Sequence, residues 1–275
     1  MDIIAADPKP KDTKTRRRFL QINSASLALD VRGTGQPIIF LHGLGSTNTV
    51  WEPQVRALSG SYQIIRYDLR GAGRSALTST LSIESWVTDL LALMEAQKIR
   101  NARFVGHSLG TLILQHFACQ NPEKVVSLAL IGVNRAPTEQ RRQAVRERVA
   151  KVRADGIASI ADGVVKGGLS PYTYEHKPEI VGFVRELLLG QSRDGYAACC
   201  EAMAAANAAD IGKIKCPVLV LAGSDDAVSP PANGEGFARE LGNAEFLLID
   251  QCGHWHPIEQ PTTVNSALNA FFTGN

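Results

Sequence analysis

The sequence predicts an α/β protein: a mostly parallel sheet covered by helices and interrupted by an inserted helical cap. Three observations carry this. Short apolar β-type runs alternate with helical stretches, the pattern of a sheet whose strands are joined by crossover helices. From about Ala136 to Gly212 the β signal stops, and a segment of about 75 residues is too long for one plain connection. A chain of 275 residues also suits one large domain with such an insertion better than two independent domains. The division that follows is a disordered basic arm over 1–18, a core over 19–135 and 213–275, and a helical cap over 136–212.

The arm carries Lys9, Lys11, Lys14 and Arg16-Arg17-Arg18. The stretch 15–20 superficially resembles a twin-arginine export signal, but Gln21, Asn23 and Ser24 interrupt any apolar core and Asp30 ends it. A hairpin over 19–22 and 27–31, turned at Asn23-Ser24, fits the same residues better. Further strands are expected at 37–41, 63–67, 102–106, 125–131, 217–221 and 245–249. Ser82 is placed to cap a helix running through Gln97, with Trp86, Leu90, Leu91 and Met94 on one face. Residues 111–118 read as another helix. Within the cap, Val145, Val149 and Val152 recur at helical spacing. A second stripe, Phe183, Val184 and Leu187-Leu188-Leu189, is broken by Arg185-Glu186.

Composition excludes several function classes. Against 29 basic residues stand 27 acidic ones, so the net charge of +2 makes no general electrostatic case for nucleic acid or a membrane surface. The longest apolar runs are too short to span a bilayer. Five cysteines without regular spacing do not form a disulfide framework, and Cys199-Cys200 read as core residues or free thiols of a reducing compartment. A cytoplasmic location is therefore expected. The six histidines are scattered, and His254-x-His256 without nearby partners is a poor ligand pair, so neither a metal nor a cofactor is expected.

One pentapeptide carries chemistry. Gly106-His107-Ser108-Leu109-Gly110 follows the apolar run 102–105 and precedes a helix, which is the context of a G-x-S-x-G nucleophile elbow. There a sharp strand-to-helix turn raises a serine hydroxyl above the sheet, and flanking glycines allow the close approach that a Cβ would block. A serine hydroxyl is a poor nucleophile unless a base takes its proton and a third group holds that base in one tautomer. In this kind of turn the chain order is serine, acid, histidine. The late cluster Gly253-His254-Trp255-His256-Pro257 supplies the base; His254 is the choice over His256, and Trp255 beside it is assigned to substrate contact. Asp226 is the acid, bracketed by Gly223 and Pro230, with Asp225 a solvated neighbour. The oxyanion is expected to be held by the backbone N–H groups of Leu109 and of Leu44, in the loop Leu41-His42-Gly43-Leu44-Gly45-Ser46, where His42 reads as structural rather than as a second base. Asp68-Leu69-Arg70-Gly71-Ala72-Gly73-Arg74-Ser75 lacks the ending of a phosphate loop and reads as a tight loop tied down by Asp68 and Arg70.

These marks, in this order, resemble the α/β-hydrolase family from Phe19 onward. Within it, Trp51-Glu52-Pro53-Gln54, the stretch 195–202 and the stretch 222–231 resemble 3-oxoadipate enol-lactonases, which hydrolyse a small anionic lactone. Two stretches, His42-Gly43 and His107 through Thr111, depart from the pattern usual in those enzymes and match general esterases. The resemblance implies a cofactor-independent serine hydrolase of small carboxylic esters or lactones. Its alternatives are a general carboxylesterase, a carbon–carbon bond hydrolase and a slow-turnover ligand receptor of the same fold. The helix bearing Arg141, Arg142, Arg146, Arg148, Lys151 and Arg153 reads as a solvated face opposite the valine stripe; the alternative is a surface that attracts a carboxylate substrate.

Overall fold

The computed structural model describes residues 16–275. Its strands are β1 (Arg16–Ile22), β2 (Ala25–Arg32), β3 (Pro37–Leu41), β4 (Gln63–Tyr67), β5 (Ala102–His107), β6 (Val125–Ile131), β7 (Val218–Gly223) and β8 (Ala244–Ile249). They form one sheet in the order β1-β2-β4-β3-β5-β6-β7-β8. The β1–β2 and β2–β4 pairs are antiparallel and every later pair is parallel.

The first pair forms because Asn23 and Ser24 both adopt positive φ, 46° and 65°, the backbone that a two-residue hairpin needs to match strand twist. β1 begins at Arg16, three residues earlier than the expected start of the hairpin at Phe19. Arg16, Arg17 and Arg18 pair with Val31, Asp30 and Leu29 of β2. The backbone ladder recruits them whatever their side chains are, and charges are well tolerated on an edge strand. The rest of the expected arm, 1–15, lies outside the described residues.

The helices are α1 (Glu52–Leu58), α2 (Ile83–Ala96), α3 (Leu109–Gln120), α4 (Glu139–Asp155), α5 (Ala158–Gly168), α6 (Pro171–His176), α7 (Pro178–Leu189), α8 (Arg193–Ala205), α9 (Pro231–Leu241), α10 (His256–Glu259) and α11 (Pro261–Gly274). Ser82 caps α2 in a reciprocal capping box with Ser85. Each face of the sheet has its own core, as alternation along a strand requires: Phe104 of β5 shares one cluster with Leu90 of α2 and Ile113 of α3, while Val105 shares the other with Val55 of α1 and Leu268 of α11. Every residue of β5 is buried, the mark of a central parallel strand covered on both sides.

The stretch 136–212 carries α4–α8 between β6 and β7. Val145, Val149 and Val152 are buried against α8, whose Ala197 and Cys200 share their cluster. In the second stripe Val184, Leu187 and Leu188 are buried, whereas Phe183 is exposed. Contacts at two of its internal loops fasten the insertion to the core. Gly253 lies so close to the α5–α6 junction that an added Cβ would sit 2.4 Å from Ser170 N. Gln191, between α7 and α8, donates to Ser46 O at 3.2 Å and accepts from Gly73 N at 2.9 Å. All five cysteines are free thiols, and no helix among the described residues is long and apolar enough to cross a membrane.

Candidate active site

β5 ends in a turn that only a particular set of residues can make. Ser108 has φ 53° and ψ −114°, a strained backbone for a residue with a side chain. A Cβ on Gly106 would meet Gly110 O at 2.8 Å, and one on Gly110 would meet Leu41 O at 2.4 Å. The turn thus closes only with glycine at both places. It is held from below by Ser108 N donating to Ile131 O at 3.0 Å and by the Thr111 hydroxyl donating to Ser108 O at 2.6 Å.

The strand ends bring the other two predicted side chains to the same point. His254 Nδ1–H donates to Asp226 Oδ2 at 2.8 Å, which leaves Nε2 unprotonated to accept the Ser108 Oγ–H, also at 2.8 Å. Asp226 is buried and Asp225 is exposed, so the loop after β7 turns one acid inward and leaves the other in water. The Asp226 Oδ1 atom accepts from Val228 N at 2.8 Å and Ser229 N at 2.7 Å, a local turn that sets the carboxylate's orientation. Burial pushes this carboxyl up. The neighbouring His254 imidazole and its hydrogen bond, His256 and the Ser229 N–H outweigh burial and hold it at about 2.

Asn134, just past the end of β6, completes the arrangement. Its Nδ2–H donates to Ser108 Oγ at 2.9 Å, and its Oδ1 accepts from the Ser229 hydroxyl at 2.9 Å. The Ser229 donation fixes which end of the amide faces Ser108. An amide nitrogen only donates, so Ser108 Oγ accepts there and its own proton goes to His254. Asn134, Ser108, His254, Asp226 and Ser229 therefore form a closed hydrogen-bonded ring with one consistent direction of donation into Asp226. Sequence reasoning passed over Asn134 and Ser229. The available signal was position, since a polar residue at the carboxyl end of a parallel strand stands where open α/β sheets place their ligands.

The histidine loop is anchored by a buried carboxylate. Glu259 accepts from Gly253 N at 3.1 Å and Ser170 N at 2.9 Å through Oε2, and from Trp255 N at 2.9 Å through Oε1. It thus fixes the peptides on either side of His254 and ties them to the insertion. His254 N donates to Gly168 O at 2.7 Å. The His254 carbonyl accepts from His107 Nε2 at 2.6 Å and from His256 Nδ1 at 2.8 Å. Burial, reinforced by the neighbouring imidazoles, pushes His107 well below the usual histidine range; burial likewise lowers His256. Both rings are neutral donors that hold the loop. His42 has a similar part: Nδ1 donates to Gly43 O at 2.8 Å and Nε2 accepts from Leu69 N at 3.0 Å, joining the Leu44 loop to the Asp68 loop. Asp68 itself accepts from Asn48 N and Arg74 N, and Arg70 pairs with buried Asp89.

Leu109 opens α3, so its N–H is one of the helix's unpaired first donors, and the Leu44 N–H has no partner among the described residues. Gly43 passes so close that a Cβ there would sit 3.0 Å from Ser108 Cβ. Ser108, His254, Leu44 and Trp255 all line one cavity of about 460 Å³, within the usual range for small-molecule sites of roughly 300–1,000 Å³. Trp255 packs its indole on Gly168, where a Cβ would meet Nε1 at 2.9 Å.

The expected solvated face of α4 holds in part: Arg141, Arg146, Lys151 and Arg153 are exposed, and Arg142 and Arg148 are half-buried. The basic face of α4 is divided rather than uniformly solvated. Arg142 donates to Ala204 O and Ala206 O, Arg146 to Glu139 and Arg153 to Glu201, whereas Arg141, Arg148 and Lys151 line the cavity. The cause is α4's close packing on α8, which buries Val145, Val149 and Val152 and so fixes which side of the helix reaches the cavity.

A family model described as the alpha/beta hydrolase family matches residues 38–267. Among curated relatives, 3-oxoadipate enol-lactonase 2 of Acinetobacter baylyi is 31% identical over 255 residues, spanning 90% of this chain and 94% of the relative. A thermophilic esterase from Thermogutta terrifontis, solved with malate bound, superposes with a TM-score of 0.89 at 27% identity, over 94% of this chain and 98% of that one. The enol-lactonase from Burkholderia xenovorans LB400 superposes with a TM-score of 0.88 at 28% identity, over 93% of this chain and 100% of that one.

Proposed function

The chain belongs to the alpha/beta hydrolase family, and on that premise we propose that it is a serine hydrolase of small carboxylic esters or lactones. The observation that carries the reading is the closed ring through Ser108, His254 and Asp226, which opens onto the cavity at Ser108. Ser108 Oγ attacks the acyl carbon as His254 Nε2 takes its proton, and Asp226 holds the resulting imidazolium. The Leu44 and Leu109 amides donate to the oxyanion, and His254 then returns the proton to the leaving alcohol. Water deprotonated by His254 releases the acid and restores the serine. Asn134 keeps the Ser108 hydroxyl pointed at His254 throughout the resting state.

The finer reading is a lactonase similar to the 3-oxoadipate enol-lactonases, with Trp255 and the helical insertion as a cap over the substrate. Enol-lactonases among the relatives support it. A lactone's leaving alcohol stays attached to the acyl group, so an enclosed site is useful: it keeps the released alcohol in place for protonation before it recloses. A broader carboxylesterase is the second reading, favoured by His42-Gly43 and the elbow residues His107 and Leu109.

The test is a hydrolysis panel of p-nitrophenyl acetate, simple aliphatic lactones and the enol-lactone of 3-oxoadipate, run with the parent and Ser108→Ala. Activity of the parent, reduced at least about 10³-fold in the variant, is the expected result. Equal rates in both would remove the nucleophile assignment, and ester turnover without enol-lactone turnover would leave the carboxylesterase reading.

A further inference from the structure

The cavity that Ser108 lines carries a charge that the proposed chemistry does not use. Four cationic side chains line the cavity, Arg135, Arg141, Arg148 and Lys151, and no carboxylate does. Arg135 is neutralised by a two-pronged pair with Glu240 at 2.6 and 3.2 Å. The other three have no acidic partner among the described residues. Arg141 donates only to the Val228 carbonyl, at 3.2 Å. Arg148 lies against the hydroxyl of Tyr196, a buried side chain that itself lines the cavity.

Three unpaired cations along one side of a helix repel one another, and burial together with Arg148 lowers the Arg141 guanidinium from its ordinary range. The contrast within α4 is informative. Arg146 and Arg153, which face elsewhere, are each paired with a glutamate, and Arg142 is spent on two carbonyls. The side that faces the cavity has no ion pair among the described residues, so its charges are open to a ligand there. The remaining lining on that side is apolar, with Ile160, Val164, Met203 and Val228, and accommodates a short methylene chain between the scissile group and the charges.

We propose that Arg141, Arg148 and Lys151 form a carboxylate subsite for a multiply charged substrate: an ester or lactone whose acid portion carries two or more free carboxylates remote from the bond that is cut. This rests on the hydrolase reading and deepens it. An enol-lactone of a six-carbon diacid brings a single carboxylate, because the other is locked in the ring; it leaves two of the three cations unmatched. Arg148 is the anchor, since its planar fork receives a carboxylate in two parallel bonds and Tyr196 holds it in place. Arg141 and Lys151, more exposed, take the second carboxylate at the mouth.

The experiment is a matched series of ethyl esters followed by pH-stat at low salt: ethyl pentanoate, monoethyl glutarate and the monoethyl ester of tricarballylic acid, which present zero, one and two carboxylates on the same acyl length. At each added charge kcat/KM is expected to rise about tenfold, and the gain shrinks as salt is raised. Arg148→Gln and Lys151→Gln should compress the ratio of tricarballylate to pentanoate ester, with Arg148→Lys recovering part of it, while Arg146→Gln on the same helix leaves the ratio where it was. A flat series, no gain from the second carboxylate, or an unchanged ratio in Arg148→Gln overturns the subsite while leaving the hydrolase reading intact. If p-nitrophenyl acetate and all three esters resist hydrolysis, the hydrolase reading fails instead. The subsite is then decided by calorimetric titration of tricarballylate into Ser108→Ala: binding that is lost with Arg148→Gln supports it, and absence of binding ends it.

Discussion

Replacing Asn134 by aspartate keeps the shape of the side chain and reverses what it offers to Ser108. In the native ring the amide donates to Ser108 Oγ at 2.9 Å, so the hydroxyl proton goes to His254 Nε2 at 2.8 Å. A carboxylate in that place accepts and competes with His254 for the same proton. A hydrogen bond to a charged acceptor is worth roughly 1.5–3 kcal/mol, against about 1 kcal/mol for the neutral bond to the imidazole. The hydroxyl therefore turns away in the resting enzyme, and restoring it costs about 0.5–2 kcal/mol. Loss of the amide's own donation adds about 1 kcal/mol, so kcat/KM is expected to fall roughly 10- to 150-fold at neutral pH. Asn134→Ala removes the donor without adding a competitor and should cost only about fivefold. The assay is kcat/KM on p-nitrophenyl acetate across the acid and neutral range, with thermal melts to show that both variants are folded. On the acid side the substituted carboxyl becomes protonated and stops competing, so the gap between the two variants narrows. If Asn134→Asp is as active as Asn134→Ala throughout, the proton-directing argument is wrong.

Three further outcomes are expected. Asp226 is held at about 2 against an ordinary 3.8, so its ionised form stabilises the fold by about 2 kcal/mol. Because the folded value is the lower one, that contribution is complete above pH 3.8 and disappears as pH falls toward 2; acid titration of Asp226→Asn should show a shallower loss of melting temperature across that window, and parallel curves would contradict it. Glu259→Gln keeps one accepting oxygen where the carboxylate has two; with that oxygen on Ser170 N and Gly253 N, the new NH2 faces Trp255 N and leaves it unmatched. Urea unfolding should show a loss of roughly 1–3 kcal/mol, and a variant as stable as the parent would mean that Glu259 is not the anchor of the histidine loop. Gly110→Ala forces a Cβ to within 2.4 Å of Leu41 O. It should yield no active soluble protein, and an active, folded variant would show that the elbow has slack.

Where pattern and local chemistry agree, the fold was readable in advance. The expected bounds of β3, β4 and β6 coincide with the observed ones, and Ser82 caps α2, because apolar alternation and a capping hydroxyl are local properties. Ser108, Asp226 and His254 could be named because a strained elbow admits few residues and the acid and base follow it in a fixed order. Arg16–Arg18 were misplaced because side-chain polarity conceals a strand whose reason for existing is the neighbouring backbone. Asn134 stayed hidden because an asparagine in a loop carries no periodic signal and gains its meaning only from what stands opposite it. The basic residues of α4 could not be sorted at all.

Local sequence was enough to name the side chains that converge at Ser108. Gly106, Ser108 and Gly110 mark a raised hydroxyl by pattern, while Leu41 O and Ile131 O of neighbouring strands make the glycine necessary and hold the turn. Which cations line the cavity was decided elsewhere, by packing. Six cations on α4 are alike as letters, and only the burial of Val145, Val149 and Val152 against α8 determines that Arg141, Arg148 and Lys151 turn toward Ser108 while the rest turn away. A helix sets the angular spacing of its side chains; the surface it packs on sets which way they point.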